Sequence, residues 1–113
     1  MKIQKITNLL EEWVPKAYAE DFDNVGLLVG NPYNECFGVL ISHDVLENVI
    51  DEAILESCNL IVCFHPIIFS GLKKLTGKTY VERVVERAIK KDIAIYASLK
   101  IPYLKIPGEL SVG

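Results

Sequence analysis

The sequence predicts an α/β fold: a three-layer sandwich in which helices flank a mainly parallel sheet. Two observations carry this. From residue 39 onward, short apolar runs alternate with segments of helical periodicity, in the order strand, helix, strand, helix, strand. Right-handed crossovers between parallel strands then place the helices over the faces of the sheet. The second observation is the run Asn59-Leu60-Ile61-Val62-Cys63-Phe64-His65-Pro66-Ile67-Ile68-Phe69. Its bounded apolar core suits a strand buried on both faces, and it ends on an imidazole with a proline directly behind it. Ligands in open α/β sheets bind just beyond the carboxyl ends of the strands. His65 is therefore placed to act on a metal or a small polar substrate.

The elements follow in chain order. Ile3, Ile6, Leu9, Leu10 and Trp13 recur at spacings of three and four, the mark of an amphipathic helix, and Pro15 closes it. A loop with Asp21-Phe22-Asp23-Asn24 leads into Val25-Gly26-Leu27-Leu28-Val29-Gly30, a short apolar element between glycines that reads as a strand. Asn31-Pro32-Tyr33-Asn34 is a turn by its chemistry. Val39 to Ser42 is the next strand. A helix is expected from about Val45 to Ser57, with Leu46, Val49, Ile50, Ala53 and Ile54 on its apolar side. Asp44, three residues before Glu47, matches a helix start in which the Asp44 side chain caps orphan N–H groups. Leu60 to Phe64 is the central strand. Thr79 and Glu82 form a second capping pair and open a helix carrying Val81, Val84, Val85, Ala88 and Ile89 on one side. Ile93 to Ala97 is the last strand. All three parallel strands should open onto one edge, presenting Asp44, His65 and Ser98 or their neighbours.

Composition bounds what the chain does. At 113 residues it holds one core, and 50% apolar content marks a chain that folds. A net charge of −3 and a pI near 5.3 argue against a nucleic-acid binder. The one local basic cluster, Lys73, Lys74 and Lys78, reads as solvated loop charge. Cys36, Cys58 and Cys63 are odd in number and lack Cys-x-x-Cys spacing, so neither a disulfide framework nor a zinc ribbon follows. The opening residues are amphipathic and no apolar stretch approaches the ~20 residues of a membrane span. A cytoplasmic protein without a membrane partner is expected.

Each candidate group has a plainer alternative. His65 is either a loop-bonded strand-end histidine or a metal ligand whose second nitrogen is oriented by an outer partner. Pro66 favours extended backbone at His65, which helps hold the ring still. Asp44 is foremost a helix cap, and becomes an acceptor for a metal site if its strand neighbours that of His65. His43 reads as a packed or surface histidine. Asp21 and Asp23 suit turn formation, since their spacing matches no calcium loop. The loop from Ser70 to Thr79 ends in Gly-Lys-Thr like a phosphate-binding loop, but Leu72 stands where the motif needs its first glycine. That motif is rejected.

Several of these segments together resemble a known family. Asp23-Asn24-Val25-Gly26-Leu27-Leu28-Val29-Gly30, the Asp44-Val45 helix start, and Phe64-His65-Pro66-Ile67-Ile68-Phe69-Ser70-Gly71-Leu72 are similar to the type 2 GTP cyclohydrolase I homologues, also called Nif-three-like. The resemblance spans roughly Met1 to Ala97 and leaves residues 98–113 as a divergent tail.

It implies ring-shaped homohexamers and two divalent metals per subunit, zinc, iron or manganese, bound by histidines and carboxylates. It also implies a metal-dependent hydrolase acting on a nucleotide or another small molecule. The family's His-His-Pro motif stands here as Phe64-His65-Pro66, so the ligand role carries over to His65 alone. Its His-Thr-x-x-Asp motif finds Leu99 in place of the histidine and Tyr103 in place of the aspartate. The distal His and Glu ligands have no counterpart before Gly113, so the chain is truncated relative to the family. With one matched ligand the metal site is incomplete, weak binding is expected, and no catalytic residue is assigned. Two alternatives stay open: a non-catalytic α/β interaction or regulatory module, and an inactive fragment. Unpaired sheet edges in a short chain also predict self-association.

Overall fold

The computed structural model describes residues 1–13, 26–64 and 74–98. Within them lie helices α1 (Ile3–Trp13), α2 (Glu47–Leu55) and α3 (Tyr80–Lys90), and strands β1 (Gly26–Val29), β2 (Val39–Ser42), β3 (Leu60–Cys63) and β4 (Ala94–Ala97). The strands form one sheet in the order β1-β4-β3-β2. β2, β3 and β4 are parallel, paired Val39↔Leu60 to Ser42↔Cys63 and Leu60↔Ala94 to Cys63↔Ala97. β1 runs antiparallel to β4, with an irregularity between Leu27 and Val29. The sheet is thus mainly parallel with one antiparallel edge.

Strand alternation sorts the core into two layers. Ile61, Cys63, Ile95 and Ala97 face α2 and α3, packing with Val49, Ile50, Ala53, Val84 and Ala88. Leu60, Val62, Ala94 and Tyr96 face α1, packing with Ile3 and Leu10. Every residue of β3 and β4 is buried, as expected where both faces of a parallel sheet are covered. The three-layer sandwich is therefore the observed architecture.

Three local expectations need correction. Leu9 is exposed, because α1 buries Ile3, Thr7 and Leu10 and Leu9 lies about 100° from that stripe. The second helix starts at Glu47, with Leu46 at the N-cap in an extended conformation and no side-chain cap. Asp44 therefore lies two residues before the N-cap position. The reason lies at Val45, which is 2% exposed. Seating Val45 in the core keeps the chain extended past the point where the Asp-x-x-Glu pattern would start the helix. Leu46 and Ile54 of this region and Ile89 of α3, all placed on apolar sides from sequence, are exposed.

The turn at residues 31–34 behaves as its composition suggests. The Asn31 side chain accepts from the Tyr33 N–H at 2.9 Å, and the Asn34 N–H donates to the Asn31 carbonyl. Gly30, just before the turn, sits at φ +110°, with Ala94 so close that a Cβ at Gly30 would lie 2.6 Å from the Ala94 Cβ. Only glycine fits there. Among the described residues, no helix is long and apolar enough to cross a membrane.

Candidate functional site

The register of the parallel strands sets the geometry of the carboxyl edge. Ser42, Cys63 and Ala97 end their strands side by side. The residues that leave the sheet there are His43-Asp44 from β2, Phe64 from β3 and Ser98 from β4. The backbone stays ordered past the strand ends: the Ser98 N–H donates to the Cys63 carbonyl at 2.8 Å. The buried Ser42 hydroxyl donates to the Asp44 carbonyl at 2.6 Å, pinning the bend after β2.

His65, the predicted metal ligand, follows Phe64 and lies outside the described residues, as do Asp21, Asp23 and Lys73. The tail from residue 99 to 113, with Leu99 and Tyr103, lies outside them too. The edge from which His65 continues is described on both sides. Phe64 is half-buried and packs with the α1-side core. Asp44 is half-buried and His43 exposed. The side chains brought to this edge by described residues are thus Asp44, His43 and the two buried serines.

Cys63 lies at the same edge but is a poor donor. Burial pushes its thiol up to about 11, and the Asp44 carboxylate nearby adds to the rise. Cys36 and Cys58 are half-buried and also pushed up, chiefly by burial. All three thiols are free. Among the described residues, no group of three or more His, Cys, Asp or Glu side chains could hold a metal ion. Among the described residues this edge therefore carries one carboxylate, Asp44, and no ligand set for a metal ion.

The loop of residues 74–79 is organised by one acid. Glu82 Oε1 accepts from the Thr76 N–H at 3.0 Å and from its hydroxyl at 3.2 Å. Glu82 Oε2 accepts from the Thr79 N–H at 3.0 Å and hydroxyl at 2.9 Å. The Thr79 hydroxyl accepts in turn from the Glu82 N–H, completing a capping box. The Thr76 N–H holds the Glu82 carboxyl below its usual range, helped by both hydroxyls and the Thr79 N–H. The chain's own carboxylate thus takes the Thr76 and Thr79 N–H groups on either side of Gly77-Lys78. Lys74 and Lys78 are exposed, as solvated loop charges are. The Thr79–Glu82 pair was legible in sequence, whereas the Thr76 half was missed; a second threonine three residues upstream was its signal.

A family model described as Duf34/NIF3 (NGG1p interacting factor 3) matches residues 1–98. The chain belongs to this family. Among its relatives, the GTP cyclohydrolase 1 type 2 homolog of Bacillus subtilis (strain 168) is 42% identical over 95 residues, covering 84% of this chain and 26% of that protein. NIF3-like protein 1 of Rattus norvegicus is 36% identical over 98 residues, covering 86% of this chain and 26% of that one. The crystal structure of a Bacillus cereus protein related to NIF3 superposes with a TM-score of 0.79 at 38% identity, covering 88% of this chain and 27% of that chain. Reduced HcgD from Methanocaldococcus jannaschii gives a TM-score of 0.77 at 28% identity, covering 88% and 40%. The Duf34/NIF3 chain thus spans about a quarter to a third of the length of the curated relatives it matches.

Proposed function

We propose that this Duf34/NIF3 chain is the N-terminal part of a metal-dependent, hydrolase-like protein, with a divalent cation held in part by His65. The observation that carries this reading is the shared carboxyl edge of β2, β3 and β4, from which residue 65 continues two positions past Cys63. This is where open α/β sheets bind ligands. Were a zinc, iron or manganese ion held there by His65, the chemistry it would supply is Lewis-acid activation. The names of the relatives point to a purine nucleotide such as GTP as the substrate class. Assembly into the family's homohexamer belongs to the same reading. So does a cytoplasmic setting, which suits three thiols that stay free.

A second reading is favoured by specific residues. By the resemblance, Phe64 and Leu99 stand where the family's motifs carry histidines, and Tyr103 stands where they carry a ligating aspartate. A chain so depleted of ligands serves as a non-catalytic interaction or regulatory module, or as an inactive fragment. Metal content of the purified protein, measured beside the His65→Ala variant, separates the readings. Stoichiometric zinc, iron or manganese that disappears in the variant supports the metal site. No metal in either protein leaves the module or the fragment.

A further inference from the structure

Among the described residues, the loop of residues 74–79 is fastened from two neighbouring positions of α3. Glu82 holds both ends of its turn: one carboxylate oxygen takes the N–H and hydroxyl of Thr76, the other those of Thr79. Arg83 Nη1 donates to the Gly77 carbonyl at 3.0 Å, while Arg83 Nε holds Glu47 of α2 at 2.6 Å. Apolar anchorage is slight. Lys74, Leu75, Thr76, Lys78, Thr79 and Tyr80 are exposed, and Gly77 alone is half-buried. A segment with exposed polar contacts and few buried apolar ones opens at low free energy. Glu82 is the buried member of this cluster, and every bond it accepts is strengthened by its charge.

We propose that this loop is an acid-released latch: the ionised Glu82 carboxylate holds it closed, and protonation of that one group opens the loop while the sheet stays folded. A protonated carboxyl loses the charge that strengthens all four bonds, and its own O–H adds a donor that faces two N–H groups and two hydroxyl donors. The charges around it are engaged elsewhere or solvated. On α2, Glu47 and Asp51 pair with Arg83 and Arg87. Glu86, one turn along α3, places Oε2 3.8 Å from where a Cβ on Gly77 would stand. Lys74 and Lys78 of the loop are exposed. β1 and β4, which also pack against α3, carry no carboxylate and no basic side chain. The sign follows from the closed loop, which holds the Glu82 carboxyl below its usual range. Closure is therefore favoured by ionisation, and that gain is lost as pH falls through the folded value. The latch is independent of the metal reading of His65.

The test is amide hydrogen exchange of the full chain read by NMR, as protection factors for the Thr76 and Thr79 N–H groups beside those of Ile61 and Ile95 in the strands. In the unaltered protein, protection of the two loop amides should fall at least ~10-fold between pH ~6 and pH ~3.5, while the strand amides keep theirs. Glu82→Gln, which keeps the shape without the charge, should show the low loop protection already at pH ~6 and no further loss on acidification. If that variant does not fold, the pH series on the unaltered protein decides alone. Loop protection that does not change with pH, or that is equal in Glu82→Gln and the unaltered protein at pH ~6, overturns the latch. Loss of the strand amides together with those of the loop overturns it too, because the loop then opens only when the whole chain unfolds.

Discussion

At the scale of single residues, the best-anchored polar group in the described chain is Glu82, whose two carboxylate oxygens accept four hydrogen bonds from Thr76 and Thr79. Thr79→Ala removes the acceptor for the Glu82 N–H and should cost about 1 kcal/mol of stability in urea melts. The pH dependence has a definite sign. Because the folded-state pKa of Glu82 lies below its ordinary 4.5, its contribution is present above that value and is lost as pH falls through the folded pKa. The stability gap between the unaltered protein and Glu82→Gln should therefore narrow between pH ~7 and pH ~3. A gap that stays constant with pH would contradict this account of the carboxylate. The same residues show what a sequence pattern can and cannot reveal. Thr79 and Glu82 match the capping-box template and form it. Asp44 and Glu47 match a similar template, but the helix begins only at Glu47, with Leu46 at its N-cap and Val45 in the core before it. The local pattern is identical in kind; packing decides between them.

At the scale of elements, the parallel strands and their helices were legible because each is a local apolar rhythm with a stop signal. The direction of β1 was not. Gly26-Leu27-Leu28-Val29 carries no mark of its partner, and it pairs with β4, the strand farthest from it in sequence. That choice is made by long-range contact, chiefly the close approach of Gly30 to the start of β4. Gly30→Ala would force a Cβ to 2.6 Å from the Ala94 Cβ and 2.7 Å from its Cα, in a left-handed backbone region. The expected cost is at least ~2 kcal/mol, read as a lower urea midpoint. A midpoint within error of the unaltered protein would show that β1 does not depend on this contact. The ion pairs joining α2 and α3, Glu47 with Arg83 and Asp51 with Arg87, are largely exposed and contribute little by comparison.

At the scale of the whole molecule, the described sheet has four strands, with β1 and β2 at its edges. Edge strands present unpaired backbone groups, and near the start of β2 and the end of α2 stand Phe37 and Leu55, 80% and 81% exposed. Self-association is the expected outcome. Light scattering at modest concentration should give a mass above the 12.7 kDa of one chain, and a clean monomer would contradict it. The candidate site was legible in sequence as a position rather than as a geometry. The apolar run foretold the strand that ends at Cys63, while His65 itself lies outside the described residues. That β2 and β3 end side by side at Ser42 and Cys63 required the register of the two strands, which no local pattern encodes.

The central claim, that this edge takes a divalent cation through His65, is tested most directly on the imidazoles themselves. The chain has two histidines, His43 and His65, so nitrogen-edited NMR of the side chains resolves both, with His65→Ala fixing the assignment. On addition of Zn2+ the His65 ring nitrogens should shift while the His43 signals change far less. A spectrum in which neither ring responds, or in which His43 alone does, would contradict the account.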